Sequence, residues 1–128
     1  MNILLISAST EDRQTFERIA AKAAWQVNFA GTCEESLQRL RDSQFGVILF
    51  DRDIAGGDWR QNFSVLHAAA PVSCIILVSR VNDDYLWEEV VHQGGYDVLS
   101  KPFQESQVAA SISLAWSYWK QYSGALRK

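Results

Sequence analysis

Five short apolar runs recur along this chain, and their spacing limits the folds that it can adopt. Each run is rich in Val, Ile, Leu or Phe and is too short for a helix, which is typical of a buried strand. Longer amphipathic stretches separate the runs, so strands and helices are predicted to alternate from one end of the sequence to the other. The five runs are Ile3 to Ile6, Val27 to Ala30, Val47 to Phe50, Cys74 to Val78, and Val98 to Leu99.

The stretches between these runs have helical spacing. The first helix is predicted from Glu11 to Trp25, with Thr10 as its N-cap. Thr32 and Glu35 have the form of a capping box at the start of the second helix. The inward faces are predicted to be Phe16, Ile19, Ala20 and Ala23 in the first helix, and Val108, Ile112, Ala115, Trp119 and Tyr122 in a last helix over 104–122.

Strands that alternate with helices in this way form parallel sheets, because each crossover is right-handed and places its helix against one face. The sequence therefore predicts an α/β fold with one five-stranded parallel sheet and helices on both of its faces. In such sheets, ligands bind at the carboxyl ends of the strands, near the point where the strand order reverses. The residues that directly follow each strand are thus the candidates for chemistry.

Composition narrows the class of protein. The chain has 128 residues and a net charge of -3, and it contains no basic cluster, which argues against a nucleic-acid surface. Its apolar runs are far shorter than the roughly 20 residues of a membrane span, and its first residues lack the basic start of a secretory signal. Cys33 and Cys74 stand apart, which favours two reduced thiols. We expect a cytoplasmic domain over residues 1–128 that does not contact membranes.

Three strand ends carry complementary polar side chains. Asp51 follows the third run, Ser79 the fourth and Lys101 the fifth. A carboxylate at this edge can accept a phosphoryl group, a hydroxyl can donate to its oxygens, and an ammonium can neutralise its charge. Pro102 restricts the residue before it, so a Lys101-Pro102 bond, cis or trans, is predicted to aim the lysine into the cleft.

In these features the sequence resembles the receiver domain of bacterial two-component response regulators. The motifs that carry the resemblance stand at the family's spacing over essentially the whole chain: Phe45 to Asp51, Pro71 to Ser79, Gly94-Gly95, and Ser100 to Phe103. The resemblance implies a (βα)5 flavodoxin-like fold and a role in phosphorelay signal transduction. It also implies that Asp51 is the phospho-accepting aspartate, Ser79 the switch hydroxyl and Lys101 the phosphate-contacting lysine.

The sequence departs from the family at the metal site. Receiver domains carry an acidic pair directly after the first strand to hold Mg²⁺, and here those positions are Ser7 and Ala8. Because Mg²⁺ needs oxygen ligands that usually include carboxylates, only Asp51 and Asp53 remain as predicted, weak ligands. Glu11 and Asp12 could also reach into the site, but the favoured assignment is the start of the first helix, where the dipole favours negative charge.

Two further positions differ from the family. Val98 occupies the position of the aromatic switch, and a valine cannot swing between buried and exposed states as an aromatic ring does. Arg80 stands where the family prefers a small residue, and it is expected either to cover the Asp51 pocket or to pair with an acid there.

The resemblance implies partners and a mode of output. A histidine kinase or another phosphorelay protein is the implied phosphoryl donor, and the face made by the fourth helix, fifth strand and fifth helix is the family's usual contact for homodimers and effectors. Predicted contact residues for this chain are Trp87, Val98, Trp116 and Tyr118. Trp116 and Tyr118 flank the inward face of the last helix, so a place at the edge of the core is an equal alternative for these two. Signalling is expected to proceed through this surface and not through enzymatic turnover, and the last helix is able to continue into an output domain.

Two questions stay open at the level of sequence. Asp51 is either phosphorylated with poor Mg²⁺ affinity, or the domain binds its partners without phosphorylation. An alternative from another class is a flavodoxin-like protein that holds FMN or another phosphate, because the hydroxyl-rich loop from Ser7 to Thr10 lies before a helix N-terminus. That loop has no glycine to bring the backbone close to a phosphate, and it would leave Asp51 and Lys101 without a role.

Overall fold

The fold is taken from a computed structural model, which describes residues 1–54 and 58–126, with side chains as far as residue 122. Within these residues, strands and helices alternate as the apolar runs predict. The strands are β1 (Asn2–Ile6), β2 (Gln26–Ala30), β3 (Val47–Asp51), β4 (Cys74–Ser79) and β5 (Asp97–Ser100). The helices are α1 (Thr10–Ala23), α2 (Cys33–Asp42), α3 (Trp59–Ala69), α4 (Asp84–His92) and α5 (Glu105–Leu126).

All five strands are parallel and lie in one sheet with the order β2-β1-β3-β4-β5. The order reverses between β1 and β3, so the switch point of the sheet is the crevice at the carboxyl ends of these two strands. Ile6 pairs with Phe50, and Asp51 pairs with Val78, so the carboxyl ends of the central strands lie side by side. The predicted (βα)5 flavodoxin-like fold is confirmed.

The period-two alternation of the strands divides the core into two layers. Even-numbered residues of β1 and β3 face one set of helices and odd-numbered residues face the other. The first layer joins Leu4, Ile6, Ile48 and Phe50 to Phe63 and Leu66 of α3 and to Leu86 and Val90 of α4. The second layer joins Ile3, Leu5, Val47 and Leu49 to Phe16 of α1 and to Val108 and Ile112 of α5. Full burial of each such side chain contributes roughly 1.5–3 kcal/mol, so the strands are fixed in register from both sides.

The starts of the first two helices differ in how well the sequence predicted them. Helix α1 is capped by Ser9, one residue before the predicted Thr10, because the Ser9 hydroxyl accepts the backbone N–H of Asp12 at 3.2 Å. Helix α2 is capped by Thr32, as predicted, with the N–H of Glu35 donated to its hydroxyl at 3.0 Å.

The inward faces of α1 and α5 are confirmed except near their ends. Phe16, Ala20, Val108, Ile112 and Ala115 are buried, together with Ile19. Ala23 was predicted to face inward but is exposed, because it lies in the last turn of α1. Trp119 is half-buried, and Tyr122 is exposed on the flank of α5, where its ring stacks on Tyr118 at 4.3 Å between centroids.

Both cysteines are free thiols, as predicted. Cys74 is buried at the start of β4, and burial raises the pKa of its thiol to about 11, so the thiol is protonated at neutral pH. No helix among residues 1–54 and 58–126 is long and apolar enough to span a bilayer. The predicted continuation of the last helix past Leu126 falls outside the described residues.

Candidate functional site

Asp51 ends β3 at the switch point of the sheet, and its side chain is almost fully buried. Three donors surround its carboxylate. Its Oδ2 accepts the Lys101 ammonium at 2.8 Å and the Ser7 hydroxyl at 3.2 Å, while its Oδ1 accepts the backbone N–H of Asp53 at 2.9 Å. Because a buried carboxylate is costly unless it is paired and hydrogen-bonded, these donors offset the burial of the Asp51 side chain at the sheet edge.

Lys101 directly follows β5 and brings the positive charge of the site. Its Nζ lies 2.8 Å from Asp51 Oδ2 and 2.9 Å from Asp12 Oδ2, and the Lys101-Pro102 peptide bond is cis. Burial acts to lower the pKa of this lysine, but the hydrogen bonds to Asp12 and Asp51, together with the negative charges of these two carboxylates, outweigh burial and raise the pKa above its ordinary value. The ammonium is therefore charged throughout the physiological pH range.

Ser79 is brought to the same edge but not into contact with Asp51. It ends β4 and is buried, and its hydroxyl accepts the backbone N–H of Val81 at 3.1 Å. Within the described residues this hydroxyl has no hydrogen bond with Asp51. Of the three predicted side chains, the structure therefore joins the carboxylate and the ammonium directly and places the hydroxyl one strand away.

Two residues of the site were not predicted as such. Ser7, at the end of β1, was considered for the metal ligand that it lacks and for the alternative phosphate-binding loop, yet its hydroxyl donates to Asp51. Asp12 was assigned to the helix start, with a role as a metal ligand as the less favoured alternative, yet its carboxylate pairs with Lys101. The signal for Asp12 was its spacing: it stands four residues before Phe16, which was predicted to face the sheet, and residues four apart share a helix face.

The side chains at this edge do not fit a firmly held Mg²⁺ ion. Ser7 already donates its hydroxyl to Asp51, and Ala8 has no ligand atom. Asp53 is exposed and contributes its backbone N–H to the site. Over residues 1–54 and 58–126, no group of three or more His, Cys, Asp or Glu side chains is arranged to hold a metal. The lysine ammonium is thus the cation that the structure places beside Asp51.

Arg80 lies at the rim of an open cleft over this site. The cleft has a volume of about 300 Å³, and Asp12, Lys101 and Pro102 are among its lining residues. Arg80 is exposed, and no ion pair joins it to an acid in the part of the chain that the structure describes. Its place at the rim agrees with the first of its two predicted roles, covering the pocket, and not with the second.

The four predicted contact residues separate into two groups. Trp87 and Tyr118 are exposed, by 48% and 47%. Val98 is buried in the core layer beneath α4, so the prediction that it contacts partners is wrong. Trp116 is half-buried and stacks on Trp119 at 4.9 Å between ring centroids, and its ring covers Gly46, where a Cβ atom would lie 2.6 Å from it. Trp116 therefore belongs to the edge of the core.

The hydroxyls of the loop from Ser7 to Thr10 are engaged within the protein. The Ser7 hydroxyl donates to Asp51 and accepts the N–H of Ser9, and the Ser9 hydroxyl caps α1. This arrangement gives no support to a phosphate cradle for FMN, because two of the three hydroxyls already have intramolecular partners.

Comparison with known proteins identifies the family of this chain. A model of the response regulator receiver domain family matches residues 3–113. No curated protein matches the chain. Among solved structures, the chain is similar to an adenylate cyclase from Rhodopirellula baltica, with 21% identity over 98% of this chain and 94% of that one and a TM-score of 0.87. A signal receiver domain of an HD domain-containing protein from Pseudomonas fluorescens Pf-5 has 18% identity over 96% and 91%, with a TM-score of 0.86.

A third similar structure is the beryllofluoride-activated NtrC4 receiver domain dimer, with 19% identity over 92% of this chain and 98% of that one and a TM-score of 0.83. At these identities the structures establish the fold alone. The family match covers most of the chain. The chain belongs to the response regulator receiver domain family.

Proposed function

We propose that this chain is the signal-receiving module of a two-component phosphorelay and that Asp51 accepts the phosphoryl group. The observation that carries the proposal is the contact between the Asp51 carboxylate and the Lys101 ammonium, 2.8 Å apart at the switch point of the sheet. The donor is the phosphohistidine of a histidine kinase or another phosphorelay protein. An Asp51 oxygen attacks phosphorus, the P–N bond breaks, and imidazole leaves with the electron pair, so that an aspartyl phosphate forms.

Transfer to Asp51 is proposed to be slow. A phosphoryl group in transfer carries negative charge on its oxygens, and enzymes and receivers neutralise this charge with metal ions and fixed cations. The side chains of Ser7 and Ala8 supply no negative oxygen for Mg²⁺. Lys101 is then the principal positive charge at the reacting group, and one ammonium neutralises less charge than a divalent metal with a lysine beside it.

Acetyl phosphate is expected to label Asp51 slowly, at a rate that changes little with Mg²⁺. Intact mass and peptide mapping measure the label, and tryptophan fluorescence follows Mg²⁺ binding in the same samples. Asp51→Asn is the control and is expected to take up no label. Stoichiometric labelling with saturable, tight Mg²⁺ binding would contradict the weak metal site. If neither acetyl phosphate nor a phosphorylated histidine donor labels Asp51, the domain acts without phosphorylation and the proposal is wrong.

Output is proposed to pass through the surface of α4, β5 and α5, which acts by contact and not by turnover. We call this surface the output face and define it by its exposed apolar residues Trp87, Val91, Leu114 and Tyr118. Large exposed apolar side chains grouped on one surface are typical of a protein–protein contact. The Tyr118 ring also contacts the ring of Tyr96, which directly precedes β5, at 5.7 Å between centroids and with the two planes tilted by 55°.

The variant Leu114→Glu is expected to weaken self-association or effector binding by tenfold or more, because a charge at the centre of an apolar contact stays unpaired. Leu114 is 64% exposed, so the stability of the fold is expected to change by less than about 0.5 kcal/mol. Val65→Glu on α3, where the side chain is 49% exposed, is a matched control away from the output face. Sedimentation velocity over a range of concentrations measures association, and equal behaviour of the two variants would count against this face.

A further inference from the structure

Asp12 reaches the site from a different direction than the family's metal-binding acids do. It lies in the first turn of α1 and not at the end of β1, and its carboxylate is 2.9 Å from Lys101 Nζ. The Ser9 hydroxyl accepts the backbone N–H of Asp12, which fixes the start of the helix at the rim of the site. One ammonium therefore lies between two carboxylates that come from separate elements.

The second carboxylate matters because Lys101 is almost enclosed. The side chain of Lys101 is 6% exposed, that of Asp51 is 6% exposed and that of Asp12 is 18% exposed. An ammonium held away from water needs partners for its three N–H donors. Asp51 Oδ2 takes one of them, but the same oxygen also accepts the Ser7 hydroxyl. Asp12 takes the second, and it holds the ammonium from the first turn of α1.

We propose that Asp12 is the positioning residue of Lys101 and that the ammonium held in this way is the resident cation of the site. It takes the place that the family gives to Mg²⁺ bound by acids at the positions of Ser7 and Ala8. Two ion pairs use two donors of the ammonium, and the third can donate to an oxygen of a phosphoryl group on Asp51. The inference deepens the function proposed above and rests on it for the role of Asp51.

The first test measures the position of Lys101 and needs no phosphorylation. The full chain is treated with acetic anhydride, and acetylation at each lysine is followed by mass spectrometry. Asp12→Asn is expected to raise the acetylation rate of Lys101 by about fivefold. This is the factor by which the loss of one modest ion pair shifts the equilibrium between the held and the free ammonium. Asp12→Glu is expected to restore protection, because it keeps the charge. Glu17→Gln removes an exposed acid from the same helix and is expected to change nothing.

The second test measures labelling of Asp51 by acetyl phosphate in EDTA. Asp12→Asn is expected to lower the maximal rate several-fold with a smaller change in the half-saturating concentration of acetyl phosphate, and Asp12→Glu is expected to recover the rate. Unchanged acetylation of Lys101 in Asp12→Asn overturns the positioning role, even if Asp51 is labelled normally. If the wild-type chain takes up no label but Lys101 loses its protection in Asp12→Asn, the positioning role is supported and only the proposed phosphotransfer fails.

Discussion

A chain that carries Ser7→Asp and Ala8→Asp together is expected to bind Mg²⁺ at least about tenfold more tightly than the wild type, because Mg²⁺ prefers carboxylate ligands. The Ser7 hydroxyl lies 3.2 Å from Asp51 Oδ2, so an aspartate at this position places a second carboxylate directly beside the first. Ala8 is exposed next to it and tolerates a longer polar side chain. Labelling of Asp51 by acetyl phosphate is then expected to become dependent on Mg²⁺.

Binding of Mg²⁺ to the same variant is also expected to change its thermal stability. In EDTA the added carboxylates repel Asp51, and the melting temperature falls below that of the wild type. Mg²⁺ bound to the folded state alone restores stability by about 2.7 kcal/mol at a concentration one hundred times its dissociation constant. Thermal unfolding in EDTA and in Mg²⁺ measures the difference. The two substitutions combined with Asp51→Asn form the control, which is expected to lose most of this response. A double variant that melts at the same temperature in both buffers would contradict the site assignment.

The sequence predicted the sheet well because a strand buried on both faces must be apolar at nearly every position. A short, uninterrupted apolar run of this kind is found in few other types of structure. The sequence also predicted that Asp51 and Lys101 lie together, because parallel strands end at one edge and only a few polar residues follow them. Neither conclusion depends on the detailed path of a loop.

The parts that the sequence did not predict depend on such paths. Whether Asp12 serves the helix dipole or reaches across the site is decided by the loop that sets the start of α1, which is capped at Ser9 and not at Thr10. Helical spacing likewise did not distinguish Trp116 from Tyr118, since both flank the inward stripe of α5. The difference arises from Gly46, directly before β3, which leaves room for the Trp116 ring, whereas Tyr118 contacts the ring of Tyr96.

The variant Lys101→Met is expected to lower the free energy of unfolding by about 3–5 kcal/mol, because it removes one partner of a buried ion pair and leaves the other charge unpaired. Two carboxylates, Asp12 and Asp51, then face each other without the ammonium between them. Urea denaturation measures the loss. Lys22→Met is the matched control: its ion pair with Glu105 is exposed by 71% and 54%, and such pairs contribute at most about 1 kcal/mol.

Adding Asp51→Asn to Lys101→Met is expected to recover a large part of the lost stability, because the neutral amide no longer needs a buried counter-charge. Asp51→Asn alone is expected to be destabilising, since it leaves the Lys101 ammonium with Asp12 as its remaining carboxylate. The coupling energy of this double-mutant cycle is expected to lie within about 0.5–3 kcal/mol. Its sign is expected to be such that the double variant loses less stability than the two single variants together. Additive losses, or a Lys101→Met chain as stable as Lys22→Met, would mean that the ammonium does not hold the two carboxylates together.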